Sequence, residues 1–301
     1  MGVRPISLED LSAKLDSVYR SQDGNKGSHA VIDTQWSRFL DEFSDVVDIN
    51  QLLTGIHSGG SDLDVLDEGC GSSLTLFEAI ESIENEANGY NVNGYGLTAS
   101  PQFLRRGSPQ MRETILRNYC EGTPEYKRTE LLLDGVQENG ELSLHRFSPQ
   151  GNLMKFLKGD LHYLQRTFPE QKFDLIYSSA TYPHLLCPWL AFEKSVDALE
   201  QGGILLIDSM PTTEIVDAKG KIISPEEYRK LLTENNPGYK VHFASSSNPF
   251  YAPIVVEKGT DRNLKSALHF GSLDEQTMKE RIVGVVSKNK PQGYVPFSEM
   301  R

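Results

Sequence analysis

The sequence predicts an α/β protein: a seven-stranded, mostly parallel, doubly wound sheet with an N-terminal helical extension and a β-hairpin insertion. Three observations carry this. Short apolar runs alternate with stretches of helical period between residues 63 and 257, the pattern of strands joined by crossover helices. The first run ends in an acid followed by two glycines one residue apart, within Asp67-Glu68-Gly69-Cys70-Gly71. The composition, 38% hydrophobic and 24% charged, is that of an ordinary folded chain.

Taken in order, residues 7–20 read as an amphipathic helix, with Ser7 as N-cap and Leu8, Leu11, Leu15 and Val18 on one face. Further helices are expected at 34–43 and 49–56, and Gly59-Gly60-Ser61 ends the extension. Residues 1–60 are therefore set apart as a helical extension or lid, 61–259 as the sheet domain and 260–301 as a tail with one helix at 273–286. The expected strands are Leu63–Leu66, Gly94–Leu97, Met154–Leu157, Phe173–Tyr177, Ile204–Ile207, Tyr239–Ala244 and Ile254–Glu257. Helices are expected at 73–87, 101–119, 188–200 and 225–234. Thr129–Ser148 reads as a hairpin turning at Glu138-Asn139-Gly140, inside an insertion of about residues 120–150.

Charge narrows the function. The chain carries a net −12, and residues 61–210, which hold the motifs, carry −10 of it. A nucleic-acid enzyme shows a basic stripe beside its site, so nucleic acid is not the expected partner. The three cysteines, Cys70, Cys120 and Cys187, are widely spaced and form no CxxC pair, so neither a disulfide framework nor a metal site is expected. A reducing, cytoplasmic setting follows. No run of ~18–20 apolar residues predicts a membrane span, residues 1–10 lack the apolar core of a signal peptide, and Ile6 breaks the myristoylation pattern.

The chemistry sits at the strand ends. In Asp64-Val65-Leu66-Asp67-Glu68-Gly69-Cys70-Gly71-Ser72-Ser73 the glycines let the chain turn sharply and approach a ligand, ahead of helix-start N–H groups. The segment resembles the first motif of the class I, Rossmann-like S-adenosylmethionine-dependent methyltransferases, with Ser73 in place of the frequent third glycine. Gly94-Tyr95-Gly96-Leu97-Thr98 resembles the family's second strand, with Thr98 where an acid commonly holds the ribose. Lys158-Gly159-Asp160-Leu161 resembles the Gly-Asp-apolar end of the third. Lys172–Ser179 and Leu199-Glu200-Gln201-Gly202-Gly203-Ile204-Leu205-Leu206-Ile207 resemble the fourth strand and the Leu-x-x-Gly-Gly approach to the fifth, and Pro253–Gly259 resembles the closing strand. A nicotinamide-binding fold fits less well, since Leu74 stands where its third glycine would be.

The resemblance implies S-adenosylmethionine as cofactor, held by Asp67, Gly69, Cys70, Gly71, Thr98, Asp160, Leu161 and Ser178. Asp67 would serve the methionine amino group and Asp160 the adenine. It implies methyl transfer to a small-molecule or protein acceptor in front of Ser179–His184, with His184 as base and Tyr182 aligning the acceptor. The acceptor site is expected under the N-terminal helices and the hairpin. A binding protein that keeps the fold without turnover is the other reading, favoured by Ser73 and Thr98; a homodimer stays open. His29 and His145 read as surface or structural residues, Trp36 and Trp189 as core.

Overall fold

The computed structural model describes residues 36–48, 51, 55, 62–70, 74–86, 91–98, 145–146, 153–159, 161–185, 188–211, 215–216, 222–244 and 251–259. The expected helices at 7–20, 101–119 and 273–286, and all of the expected hairpin except His145 and Arg146, lie outside them.

The elements are α1 (Trp36–Asp41), β1 (Leu63–Glu68), α2 (Leu74–Glu86), β2 (Val92–Thr98), β3 (His145–Arg146) and β4 (Leu153–Lys158). After them come α3 (Leu164–Thr167), β5 (Phe173–Ser178), α4 (Pro188–Ala198), β6 (Leu199–Pro211), β7 (Ile215–Val216) and β8 (Ile222–Ile223). The series closes with α5 (Pro225–Asn235), β9 (Tyr239–Phe243) and β10 (Tyr251–Lys258). One sheet runs β3-β4-β2-β1-β5-β6-β10-β9, and β7 and β8 form a small separate hairpin. Neighbours from β4 to β6 are parallel, whereas β10 is antiparallel to both β6 and β9. The seven expected strands are all present. The eighth, β3, is a two-residue antiparallel addition to β4 from the insertion.

The central strands are apolar on both faces because both are covered, as parallel sheets require. Successive residues then feed opposite layers. Val65, Leu175, Ile204 and Val255 pack with α1 and α2. Leu66, Ile176, Leu205 and Val256 pack with α4 and α5. In α2, Leu76, Ala79, Ile80 and Ile83 form the buried stripe, at the spacing of one helical face. Trp189 lies in the second layer and Trp36 in the first, both 3% exposed, in keeping with their expected core roles.

Part of the expected N-terminal extension packs on the sheet. Trp36, Phe39 and Phe43 recur at i, i+3 and i+7 and are 3%, 0% and 0% exposed. Trp36 and Phe39 lie against the ring of Tyr177 on β5, at centroid distances of 5.0 and 5.5 Å. The Trp36 backbone N–H also donates to Glu78 Oε2 on α2 at 2.8 Å. Here α1 is one of the helices that bury the sheet, and its aromatic residues belong to the domain core.

At the opposite ends of the strands, two lysines finish α4. Lys172 Nζ donates to the carbonyl of Asp197, and Lys258 Nζ to that of Leu199, each at 2.6 Å. They satisfy carbonyls that a helix end leaves unpaired and place positive charge at its negative pole. The Gly202-Gly203 signature follows, with Gly202 at φ 83°, beside the register shift where β6 joins β5.

Candidate active site

The chain runs from β1 outward through β2 to β4, then returns to the other side of β1 with β5. This reversal makes the carboxyl ends of β1 and β5 a topological switch point, the place where open α/β sheets take ligands in a crevice. In register, Asp67 lies beside Gly96 on β2 and Tyr177 on β5. The glycine turn and the segment after β5 are therefore neighbours in space.

Gly69 sits at φ 79°, a conformation that side chains disfavour. A Cβ there would stand 2.0 Å from Thr181 Oγ1, so Thr181 already fills the room a side chain would need. The N–H groups of Gly69 and Cys70 both donate to the carbonyl of Leu97, at 2.8 and 3.0 Å. They fasten the turn to β2 and are not free for a ligand. Any helix-start N–H groups that face a ligand must come from Gly71 onward, and Gly71 lies outside the described residues.

Asp67 is 4% exposed and lies on the α1–α2 side, where burial first and then its negative charge hold the Tyr177 phenol well above the usual range. Cys70, Thr98 and Leu161 are buried at 6%, 5% and 5% exposure, at or just beyond the ends of β1, β2 and β4. Asp160 and the side chain of His184 lie outside the described residues.

Two of the expected site residues are hydrogen-bonded inside the protein. Ser178 is fully buried and its Oγ donates to the carbonyl of Glu68 at 2.9 Å, so it braces the turn from β5. Tyr182 is also fully buried, and its hydroxyl donates to Glu68 Oε2 at 2.9 Å. In this conformation the phenol is engaged in the interior.

Glu68 was not anticipated as a site residue. It is 0% exposed, with Tyr182 on one oxygen and Ser195 Oγ of α4 on the other at 2.5 Å. Its carbonyl accepts from Ser178 and from Thr181 Oγ1 at 3.0 Å. A signal was present: two consecutive acids at the end of a strand buried on both faces must point into opposite layers. Burial pushes the Glu68 carboxyl from 4.5 up to about 7, against the lowering effect of its two hydroxyl donors.

That shift has a definite sign. The folded state holds the Glu68 proton more tightly than the unfolded chain does. Its contribution to stability is thus complete below pH 4.5, is lost as pH rises toward about 7, and stays lost above it. At 1.36 kcal/mol per pH unit the loss is on the order of 3 kcal/mol. Burial raises the Asp64, Asp174 and Asp208 carboxyls too, which adds to the same direction. Urea unfolding is expected to show the wild type less stable at about pH 8 than at about pH 5, with a smaller difference in Glu68→Gln. Equal differences in the two proteins would refute the assignment to Glu68.

The segment after β5 is held by a second acid that sequence reasoning missed. Half-buried Asp208, on β6, accepts from Ser179 Oγ at 2.9 Å and from the Ala180 N–H at 2.8 Å. This fixes Ala180 at φ 54°. Burial raises the Asp208 carboxyl, and the charge of Glu42, just beyond α1, adds to that. An acid closing the apolar run Ile204–Ile207 was its signal in the sequence.

Among the described residues no group of three His, Cys, Asp or Glu is arranged to hold a metal, and no helix is long and apolar enough to cross a membrane. The groove between α5 and β9, lined by Ser224, Arg229, Lys230 and Lys240, lies toward the far edge of the sheet and shares no residue with this crevice.

Residues 115–207 match the family model described as a methyltransferase domain, a span that begins beyond the glycine turn and runs through β4 and β5 into β6. Similar solved structures include a magnesium protoporphyrin IX methyltransferase of Synechocystis PCC 6803. It is 12% identical, over 84% of this chain and 100% of that one, with a TM-score of 0.40. Another is a putative class I S-adenosylmethionine-dependent methyltransferase of Listeria monocytogenes, 15% identical over 94% of this chain and 81% of that one, with a TM-score of 0.41. No curated protein matches the chain.

Proposed function

We propose that this chain, which carries a class I S-adenosylmethionine-dependent methyltransferase domain, transfers the cofactor's methyl group to a small-molecule or protein acceptor. The observation that carries the reading is the juxtaposition of Asp67, Gly69 and Thr181 at the crevice where the strand order reverses. The crevice fits the cofactor in kind: a buried carboxylate for an ammonium group, a side-chain-free turn for close approach, and apolar walls.

Asp67 would hold the methionine end and Asp160 the adenine. Thr98 and Leu161 would bound the nucleoside from the ends of β2 and β4. A bound S-adenosylmethionine supplies an activated methyl group on a sulfonium. The protein's task is then to orient the acceptor in line with it and to exclude water. A base is needed only where the acceptor carries a proton. We assign that role to Asp208 on β6, which holds the Ser179–Ala180 corner, with His184 of the same loop as a second candidate.

Calorimetric titration with S-adenosylhomocysteine and with NAD tests the reading. The sulfur cofactor is expected to bind and to add about 2.7 kcal/mol of stability at ~100 times its dissociation constant. Asp160→Ala should weaken that binding. With a transferable methyl label and a panel of small acceptors, Asp208→Asn should keep cofactor affinity and lose turnover of those acceptors that carry a proton. Clear NAD binding without a response to the sulfur cofactor would defeat the proposal.

A further inference from the structure

Glu68 joins three elements that meet at the crevice: the turn after β1, the 3-10 turn Tyr182–His184 and α4. We propose that Glu68 is a positioning residue, and that its protonated carboxyl latches the Thr181–Leu185 wall and α4 against the cofactor turn. The inference rests on reading that turn as the cofactor site.

The donor count supports it. Tyr182 O–H donates to Glu68 Oε2. With the proton on Oε1, Glu68 donates to Ser195 Oγ, and Ser195 is free to donate to the carbonyl of Ala191 at 2.9 Å. Every hydroxyl and both carboxyl oxygens are then satisfied in one neutral chain, as a buried network requires. Remove the proton, and Ser195 must turn its own to Oε1. A negative charge then stands in the layer of Leu66, Trp189 and Phe192 with two hydroxyl donors and no counter-charge from them. The titratable side chain facing Glu68 among the described residues is Tyr182; α4 offers Ser195, and β5 offers Ser178 to its carbonyl.

An ionised Glu68 favours states that admit water, and the route opens by moving the Tyr182 turn. Thr181 is next to Tyr182 and bonds the Glu68 carbonyl. Its departure removes the contact that shapes the Gly69 side of the crevice. Cofactor affinity and wall order should therefore fall together as Glu68 loses its proton. The residue shifted from the ordinary carboxyl range to about 7 places that change near neutrality.

The test uses the full chain, S-adenosylhomocysteine as probe, and amide hydrogen exchange across residues 179–185. From about pH 6 to about pH 8.5, wild-type affinity should drop roughly three- to tenfold, and exchange in that segment should rise. Glu68→Gln keeps both hydrogen-bonding ends without a titrating proton, so it should retain the low-pH affinity and show a flatter response in both readouts. Tyr182→Phe removes one arm of the latch, and should speed exchange already at about pH 6. An unchanged pH response in Glu68→Gln, or wild-type exchange independent of pH, overturns the latch. Should Glu68→Gln fail to fold, slow, wild-type-like exchange in Tyr182→Phe overturns it instead. If wild type binds no S-adenosylhomocysteine at any pH, the cofactor assignment falls, while the exchange data still decide whether Glu68 holds the wall.

Discussion

A chain starting at residue 46 is expected to fail to fold into this domain. The cut removes Trp36, Phe39 and Phe43, which are 3%, 0% and 0% exposed and fill one layer against Tyr177. Truncating one buried aromatic residue to alanine costs about 3–5 kcal/mol. Losing three, in a domain whose whole stability is about 5–15 kcal/mol, leaves nothing in reserve. The same loss exposes the apolar faces of β1, β5 and α2 that α1 covers. Circular dichroism and urea unfolding of the shortened chain would check it, with Phe39→Ala as a milder companion expected to lose about 3–5 kcal/mol. A cooperative transition of residues 46–301 at the wild-type midpoint would show that α1 is dispensable. This changes how a lid is to be sought. A truncation that removes α1 reports on folding before it reports on turnover, so the extension's role at the crevice needs point variants such as Glu42→Gln, whose charge acts on Asp208.

The sheet was legible because a strand buried on two faces writes itself as a continuous apolar run. Ile204–Ile207 is such a run, Leu63–Leu66 and Phe173–Tyr177 are broken only by Asp64 and Asp174, and each became a central strand. The acid-and-glycine turn was legible for a similar reason, since a sharp exit from a buried strand calls for residues that stand out from their apolar surroundings. What stayed hidden was the direction of polar side chains. Tyr182 looked accessible because it follows a strand in a polar loop, yet the residue is fully buried, held by partners 114 and 13 positions away in the sequence. Glu68 carried a charged residue's expectation of solvent, and only the α4 layer above it reverses that. The packing of α1 on the sheet was hidden too, because its contacts are with Glu78 and Tyr177, distant in sequence. The strands β7 and β8, at two residues each, are too short to show any period. Local pattern thus set out the scaffold and the mouth of the crevice, while long-range packing decided which of its side chains face inward.

Gly69→Ala is expected to damage the cofactor turn more than any other single methyl addition at the crevice. Two costs combine. The residue sits at φ 79°, where a side chain meets its own backbone at roughly 1–3 kcal/mol. The new Cβ would also lie 2.0, 2.6 and 2.8 Å from Oγ1, Cγ2 and Cβ of Thr181, closer than atoms tolerate. Relief requires Thr181 to move, which breaks its bonds to the carbonyls of Glu68 and Ser179 at 3.0 and 3.2 Å. Stability should fall by about 2–4 kcal/mol, the range of overpacking added to backbone strain. Affinity for S-adenosylhomocysteine should drop by well over tenfold, since the turn and the wall are displaced together. The two costs separate in a double-mutant cycle. Thr181→Ala in the Gly69→Ala background keeps Cβ but removes Oγ1 and Cγ2, so it should recover part of the clash and none of the backbone cost. Strict additivity of the two substitutions would mean that Thr181 does not shape the turn. Wild-type affinity in Gly69→Ala would mean that the cofactor never approaches it.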